Sequence, residues 1–287
     1  MKDSLLPKLL DVLRPKKIAE NHYVGQNLQI GSLAVYGGQV LAQAVSVAYE
    51  TTPDNLNIHS LHAYFLRMGD NHQEIEYQVD VIRDGGSFST RRVSAIQKNK
   101  IIFILAASFH KNEEGLDHQS SMPNVAQPES LTSFSDLFAK FAEEFDVKPK
   151  GFYSEESPVL FHPIEHFNPF NPGIRPPNHH VWFKANGTLP EDKAIQRSFL
   201  SYVSDYSLLI TALLPHDVTF FTAPMKIASL DHAMWFHRDF DANDWMLYVV
   251  DSPTANGARG FCNGKMYNRE GNLVASVAQE GLIRIIK

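Results

Sequence analysis

The sequence predicts an α+β fold made of two similar halves, each a long antiparallel sheet wrapped around one central apolar helix. Each half contains a segment that is small and apolar on almost every face, and strand-like stretches separated by turn residues follow it. A helix that is apolar all round must be buried on all sides. A sheet that curls around the helix provides that burial.

In the first half, the apolar helix is predicted over residues 36–49, and the turn-forming run TPDN at 52–55 ends it. Alternating apolar and polar residues, divided by hairpin signals such as Asp84-Gly85-Gly86 and Lys98-Asn99, predict the strands. These strands are predicted at 58–66, 74–82, 89–97 and 100–109.

The second half repeats this order. A strand is predicted at 181–185 ahead of its helix, which is predicted over 199–214 and stopped by Pro215. Further strands are predicted at 226–236, 245–251, 258–266 and 272–286. Asp84 and Arg92 lie eight residues apart, as do Asp251 and Arg259, so the two halves correspond at an offset of 251 − 84 = 167 residues. This correspondence supports a duplication.

The arrangement is that of two tandem hotdog domains, with their sheets joined edge to edge. We predict a first repeat at 1–115, a connector at 116–158 around one amphipathic helix (131–145), and a second repeat at 159–287. The second repeat carries the candidate catalytic aspartate described below.

Composition excludes several classes of function. The net charge of −6 argues against nucleic acid or an anionic membrane as a partner recognised through bulk charge. The longest apolar run, 101–108, is too short to cross a bilayer, and the N-terminus lacks the apolar core of a secretory signal. The single cysteine, Cys262, fits a reducing compartment, so we predict a cytoplasmic protein without membrane insertion.

Asp205 is the most informative single position. It is the only charged residue in the predicted helix 199–214, and an unpaired buried carboxylate is costly, so it needs partners or a function. Ser229 and Gln279 lie on strands predicted to flank this helix. A carboxylate, a hydroxyl and an amide are suited to holding one water, because the carboxylate accepts its proton while the others fix its orientation.

Several motifs together resemble the bacterial acyl-CoA thioesterase II (TesB) family, which is itself similar to peroxisomal acyl-CoA thioesterases. They run in order from about residue 10 to the C-terminus: GGQVLAQA (37–44), HSLHAYFLR (59–67), RDGGSFSTRRV (83–93), Ser204-Asp205, DHAMWFHR (231–238), Ala258-Arg-Gly260 and Gln279-Glu-Gly281.

The resemblance implies a double hotdog fold and hydrolysis of acyl-CoA to free fatty acid and CoA. It also implies a catalytic trio that falls here on Asp205, Ser229 and Gln279, where bacterial members often have threonine at the middle position. No cofactor is implied apart from the CoA of the substrate. A homo-oligomer such as a tetramer is implied as well.

Further candidates follow from the expected chemistry. Free amides at the start of the first helix, near Gly37 and Gly38, are expected to stabilise the oxyanion. His59 is a candidate to line the cleft, with packing as the alternative. Basic candidates for the CoA phosphates include Arg91, Arg92 and Arg259. The acyl slot, or core packing, could involve Tyr64, Phe65, Tyr206 and Trp235.

Two rival functions stay open at this level. Asp54 and His59 have the Asp-x4-His spacing of hotdog enoyl-CoA hydratases but lack the Asn-Pro-Leu/Ile-His run of that family. A non-catalytic acyl-CoA-binding module is the other alternative. The sequence around Cys262 fits a nucleophile-elbow pattern but lacks the strand–turn–helix context. We predict no metal site.

Overall fold

The computed structural model describes residues 4–30, 34–144, 151–166 and 168–286. Its helices are α1 Leu6–Val12, α2 Gly37–Tyr49, α3 Phe134–Glu144, α4 Lys193–Ser204 and α5 Leu208–Thr211. The strands of the first half are β1 Lys16–Ala19, β2 His22–Gly25, β3 Leu56–Phe65, β4 Ile75–Asp84, β5 Phe88–Gln97 and β6 Lys100–Lys111. Those of the second half are β7 Val159–Pro163, β8 Asn178–Ala185, β9 Met225–Ser229, β10 Asp231–Phe236, β11 Met246–Asn256, β12 Arg259–Asn268 and β13 Leu273–Ile285.

One antiparallel sheet runs through both halves in the order β1-β2-β4-β5-β6-β3-β10-β13-β12-β11-β8-β7, with β9 paired to β13. The halves join where β3 pairs with β10, in a register that places Trp235 opposite Ser60 and Asp231 opposite Tyr64. The predicted edge-to-edge joint is therefore confirmed. Assembly into a homo-oligomer remains a prediction.

The two central helices lie against each other inside the curved sheet. Every residue of α2 from Gly38 to Ala48 is buried, as are the last ten residues of α4. Small side chains such as Ala42 and Ala44, both without solvent exposure, let the neighbouring backbones approach closely. The all-round apolar character of α2 thus has the structural cause that the sequence predicts.

The second central helix departs from the prediction. The expected helix over 199–214 is interrupted, because α4 ends at Ser204 and α5 begins only at Leu208. The expected strand over 226–236 is likewise two strands separated at Leu230. At this point the Leu230 N–H donates to the Glu280 carbonyl and the Phe65 N–H donates to the Leu230 carbonyl. Both interruptions border the candidate site.

The other predicted strands agree with the structure to within a few residues, apart from the extension of β11 to Asn256. Strands β1, β2 and β7 were not predicted. Strand β1 is short, lysine-rich and exposed throughout. Burial alternates along β7, but its sequence, VLFHP, starts with three apolar residues and ends in proline, so the alternation that predicts a half-buried strand is absent from its sequence.

Candidate active site

The break after α4 creates the position of Asp205. Asp205 is the C-cap residue of α4, and Ser207 two residues later adopts a left-handed conformation with φ of 60°. A non-glycine residue in this region is uncommon and costs about 1–2 kcal/mol. The turn directs the chain away from the α4 axis and leaves the Asp205 carboxylate beside the first residues of α2.

Two tyrosines satisfy carbonyl groups that the break leaves without helical partners. The Tyr36 hydroxyl donates to the Tyr202 carbonyl at 3.0 Å, and the Tyr248 hydroxyl donates to the Ser204 carbonyl at 2.7 Å. Since the last carbonyls of a helix have no intrahelical donors, these bonds let a helix end be buried in the core. The hydroxyl protons also offset part of the negative charge at the C-terminal end of the α4 dipole, which lies next to the Asp205 carboxylate.

Three donors converge on Asp205. The Ser229 hydroxyl donates to Asp205 Oδ1 at 3.2 Å, and the carboxylate also accepts from the Gln279 side chain and from the Gly38 backbone N–H. Gln279 Nε2 in turn donates to Ser229 Oγ at 2.9 Å. The structure therefore brings together the three residues selected from the sequence, at a carboxylate that keeps limited access to solvent.

Burial raises the pKa of Asp205 from 3.8 to about 6, against the hydrogen bonds from Gln279, Ser229 and Gly38, which lower it. The carboxylate is thus mostly ionised at neutral pH and still basic enough to accept a proton. A general base works best when its pKa lies near the operating pH.

Two glycines at the start of α2 give the carboxylate its space. A Cβ atom at Gly37 would lie 2.7 Å from Asp205 Oδ2, and one at Gly38 would lie 2.4 Å from the Tyr202 carbonyl oxygen. Side chains at these positions would therefore displace either the carboxylate or the end of α4. The positive end of the α2 dipole faces the negative charge of Asp205.

Replacing Gly37 by alanine should lower kcat by up to about 100-fold, because a shift of about 1 Å in a reacting group has this effect. The new methyl group would push on Asp205 Oδ2 from one side and on Phe65 at 3.1 Å from the other. Steady-state kinetics of thioester hydrolysis would measure the loss. Gly115→Ala is the matched control, since its Cβ would meet nothing within 4 Å. Equal rates for the two variants would contradict the prediction.

The two glycine amides differ in their partners. A backbone N–H near Gly37 and Gly38 is expected to stabilise the oxyanion, and the Gly38 N–H donates to Asp205. A donor that binds this carboxylate is not free for a second acceptor. Gly37 remains the oxyanion candidate of the pair.

One buried residue that the sequence did not select as a site residue completes this group. His232 on β10 has no solvent exposure; its Nδ1 lies 2.5 Å from Gln279 Oε1 and its Nε2 lies 2.9 Å from Ser204 Oγ. The sequence feature that could have identified His232 is the two-residue period of strand β10, which places His232 on the inward face with Met234 and Phe236. An imidazole on an apolar face requires partners, and here both nitrogens have one.

The remaining predicted site residues lie apart from this group. His59 contacts the Ser108 hydroxyl at 2.8 Å and packs near the rings of Phe88 and His110. Asp54 precedes β3 in an exposed turn and is not among these contacts. The hydratase-like spacing thus forms no Asp–His pair here.

The basic candidates differ in accessibility. Arg91 is buried, and its guanidinium donates to the Thr51 carbonyl at 2.6 Å and to Asp84 at 2.7 Å. These internal acceptors occupy it, so Arg91 falls outside the set that could bind a phosphate. Arg92 and Arg259 are exposed and pair with Asp80 and Glu280, respectively, each at 2.8 Å.

An apolar pocket opens beside the helix break. It is bounded by Tyr206 and Ser207, by α3, and by a group of aromatic rings that includes Phe138, Tyr153 and Phe221. Its space is about 820 Å³ when the open mouth is included. Among the acyl-slot candidates, Tyr206 lines this pocket.

The other acyl-slot candidates lie elsewhere. Phe65 packs beside Gly37, Tyr64 is exposed, and Trp235 contacts His62.

Cys262 lies within β12, where its Sγ contacts the Leu208 carbonyl at 3.0 Å and burial raises its pKa to about 11. A buried thiol of this kind is a poor nucleophile, and the strand position excludes an elbow. Within the described ranges, no cluster of three or more His, Cys, Asp or Glu residues is arranged to hold a metal. None of the helices described above combines the length and apolar character needed to span a bilayer.

Comparison with known proteins identifies the family of this chain. The family description "Acyl-CoA thioesterase" matches residues 150–282, and "Acyl-CoA thioesterase N-terminal domain" matches residues 26–110. The chain is 39% identical to acyl-CoA thioesterase 2 of Haemophilus influenzae over 280 residues, which cover 98% of each sequence. The chain belongs to the acyl-CoA thioesterase family. It is, by that membership, a thioester hydrolase.

Further relatives of this thioesterase are consistent with the assignment. It is 36% identical to acyl-coenzyme A thioesterase 8 of Mus musculus, covering 96% of this chain and 88% of that one. The crystal structure of the acyl-CoA thioesterase II TesB2 from Mycobacterium marinum superposes with a TM-score of 0.79 at 34% identity, covering 97% and 99% of the chains. A hot dog fold protein from Alicyclobacillus acidocaldarius, at 15% identity and a TM-score of 0.77, supports the fold alone. The predicted tandem hotdog architecture is confirmed.

Proposed function

We propose that this thioesterase hydrolyses acyl-CoA to a free carboxylic acid and CoA by attack of a water that Asp205 activates, without a covalent intermediate. The observation that carries the proposal is the Asp205 carboxylate, held at a helix break by Ser229, Gln279 and the Gly38 N–H. The names of the curated relatives support acyl-CoA as the substrate.

In the first step the ionised Asp205 accepts one proton from the water while the water oxygen attacks the thioester carbon. Ser229 already directs its only proton to Asp205 Oδ1, so its hydroxyl fixes one edge of the carboxylate. Gln279 has two N–H donors, one of which binds Ser229 Oγ. The other donates to the Asp205 carboxylate.

The second step breaks the carbon–sulfur bond. The carbonyl oxygen carries the negative charge of the tetrahedral intermediate, and the Gly37 amide at the start of α2 is the candidate donor to it. When the intermediate collapses, the electron pair of the broken bond goes to sulfur. The proton that Asp205 accepted is then transferred to the CoA thiolate, which restores the base.

The pocket beside Tyr206 and Ser207 supports an acyl substrate. The described residues that line it are mainly aromatic and aliphatic, and no lysine or arginine is among them. Such a surface favours a hydrocarbon chain over the phosphates of CoA. Because Asp205 directly precedes Tyr206, a chain bound here can present its thioester to the base. Arg92 and Arg259 remain candidates for the CoA phosphates.

The pH dependence of hydrolysis tests the assignment of Asp205. Burial raises the pKa of this carboxyl to about 6, so protonation below that pH removes the base. We expect kcat/KM for an acyl-CoA to fall about tenfold per pH unit below pH 6 and to level off above pH 7, as for a single essential base. Quenched samples assayed for free thiol at one fixed pH separate turnover from the pH response of the thiol reagent.

A rate that stays level between pH 5 and pH 8 would contradict the assignment. The same assay distinguishes the rival functions, because a hydratase consumes enoyl-CoA without releasing thiol and a binding module does neither. Circular dichroism at each pH provides the control that the protein is folded throughout.

A further inference from the structure

The Gln279 amide can face its neighbours in two ways, and its role depends on which one it adopts. Its carbonyl oxygen accepts hydrogen bonds and its nitrogen donates them, whereas both ends are nearly equal in shape. The observed orientation places Nε2 at Ser229 Oγ and Oε1 at His232 Nδ1. Only this orientation lets Gln279 donate to Ser229 while the Ser229 hydroxyl donates its own proton to Asp205.

A neutral His232 with its proton on Nδ1 matches this orientation of the amide. Burial lowers the pKa of His232 to about 4, so the ring is neutral near pH 7 and carries one N–H. Gln279 Oε1 cannot donate, so the proton resides on Nδ1, which faces it. The unprotonated Nε2 then accepts from Ser204 Oγ at 2.9 Å. The Ser204 hydroxyl lies 2.8 Å from the Ser201 carbonyl as well, so these two acceptors share its proton.

The resulting hydrogen bonds all run in one direction. His232 Nδ1–H donates to Gln279, the Gln279 amide donates to Ser229, and the Ser229 hydroxyl donates to the Asp205 carboxylate. Bonds aligned in this way polarise one another, and they end on the negative charge. The reversed amide would set oxygen against oxygen at Ser229 and nitrogen against an N–H at His232.

We propose that His232 is a positioning residue, which acts through Gln279 by fixing its amide with the N–H groups toward Ser229 and Asp205. It touches neither the carboxylate nor the water and transfers no proton. The inference rests on the proposed role of Asp205 as base. It assigns a task to a fully buried side chain to which the trio of Asp205, Ser229 and Gln279 gives none.

Two conservative substitutions separate this role from simple packing. The amide nitrogen of asparagine falls near the Nδ1 position of histidine, so His232→Asn keeps a donor to Gln279. The amide nitrogen of glutamine falls near the Nε2 position, so His232→Gln keeps the contact with Ser204 and loses the donor to Gln279. Each variant removes one of the two hydrogen bonds, so the thermal midpoints should fall by similar amounts.

The positioning role predicts different kinetics for the two variants. His232→Gln should lower kcat about 10–100-fold with little change in KM, as loss of a residue that supports a catalytic group does. Its acidic limb should move to higher pH, because Asp205 then loses a hydrogen bond that lowers its pKa. His232→Asn should lose less than about tenfold in kcat and keep the limb of the unmodified protein.

The background of Gln279→Ala gives a second test. With no amide to orient, adding His232→Gln should change kcat little, because the two residues act as one unit. Equal losses of kcat in both His232 variants, or fully additive effects with Gln279→Ala, would overturn the inference. These results are separable from failure of the proposed function: if Asp205→Asn retains activity the base is wrong, whereas an inactive Asp205→Asn with indistinguishable His232 variants rejects the positioning role alone.

Discussion

Replacing Asp205 by asparagine should lower kcat by about 10²–10⁴-fold, the usual contribution of a general base, while making the folded protein more stable at neutral pH. Asparagine has nearly the shape of aspartate and still accepts from Ser229, so the site should stay folded. It cannot take a proton from water. The measurement is kcat for thiol release from an acyl-CoA, with KM as a check that the substrate still binds.

The stability half of this prediction follows from the raised pKa of Asp205. Folding raises the pKa from 3.8 to about 6, so the folded state favours the protonated carboxyl. That contribution is fully present below pH 3.8 and is lost as the pH rises through about 6. At pH 7 the ionised carboxylate therefore costs up to about 3 kcal/mol, which asparagine avoids in part.

Urea unfolding of both proteins at several pH values would test this statement. The stability difference in favour of Asp205→Asn should be absent near pH 4 and grow between pH 4 and pH 6. A variant that is inactive and also less stable at pH 7 would show that the ionised Asp205 carboxylate stabilises the fold, contrary to this prediction. An active variant would remove the proposed mechanism.

Replacing Gln279 by alanine should lower kcat by about 10²–10³-fold, comparable with the loss of one preorganised donor in other hydrolases. The substitution removes the donor to Ser229 and leaves the buried Nδ1–H of His232 without an acceptor. A buried polar group without a partner costs about 1–3 kcal/mol, so the variant should also be less stable. The acidic limb should shift to higher pH, because Gln279 is the strongest of the hydrogen-bond donors that lower the pKa of Asp205.

Gln196→Ala separates the chemical effect from the loss of stability. Gln196 is also buried and bonded at both ends of its amide, to the Pro190 carbonyl at 3.1 Å and the Ala242 N–H at 3.0 Å. It lies on α4 nine residues before Asp205, or about 13 Å along the helix. This control should lose similar stability and keep kcat. If both variants lose kcat in proportion to stability, Gln279 has no special role.

The fold was predictable because its signals are local and repeated. The apolar run of α2 and the alternation of β3 to β6 follow from the sequence, as does the edge-to-edge joining of two similar halves. The strands that form the joint, β3 and β10, are known only from the structure. A strand buried at every second residue, or a helix buried at every residue, can be predicted from the local sequence without knowing which distant residues pack against it. Strand β1 is exposed throughout and β7 begins with three apolar residues in succession, so their sequences do not alternate and both strands were missed.

The trio was predictable for a different reason. Asp205 is an acidic residue in an apolar segment, and that contrast marks a costly position in any compact fold. Ser229 and Gln279 have no such contrast, and their selection rests on predicted strands beside the helix together with the family resemblance. Their hydrogen bonds to Asp205 agree with it. Arg91 shows that a basic residue near a predicted hairpin need not be accessible to a ligand, since its side chain is buried and donates to internal acceptors.

The sequence by itself determined the two-half architecture and the presence of one expensive carboxylate in the second helix. Tertiary structure alone decided that this helix ends at Asp205, that tyrosines from other elements donate to two of its last carbonyls, and that a histidine on β10 lies at hydrogen-bond distance from a glutamine on β13. The physical reason is that burial follows from local pattern, whereas hydrogen-bond direction depends on which donors the folded chain places opposite each acceptor.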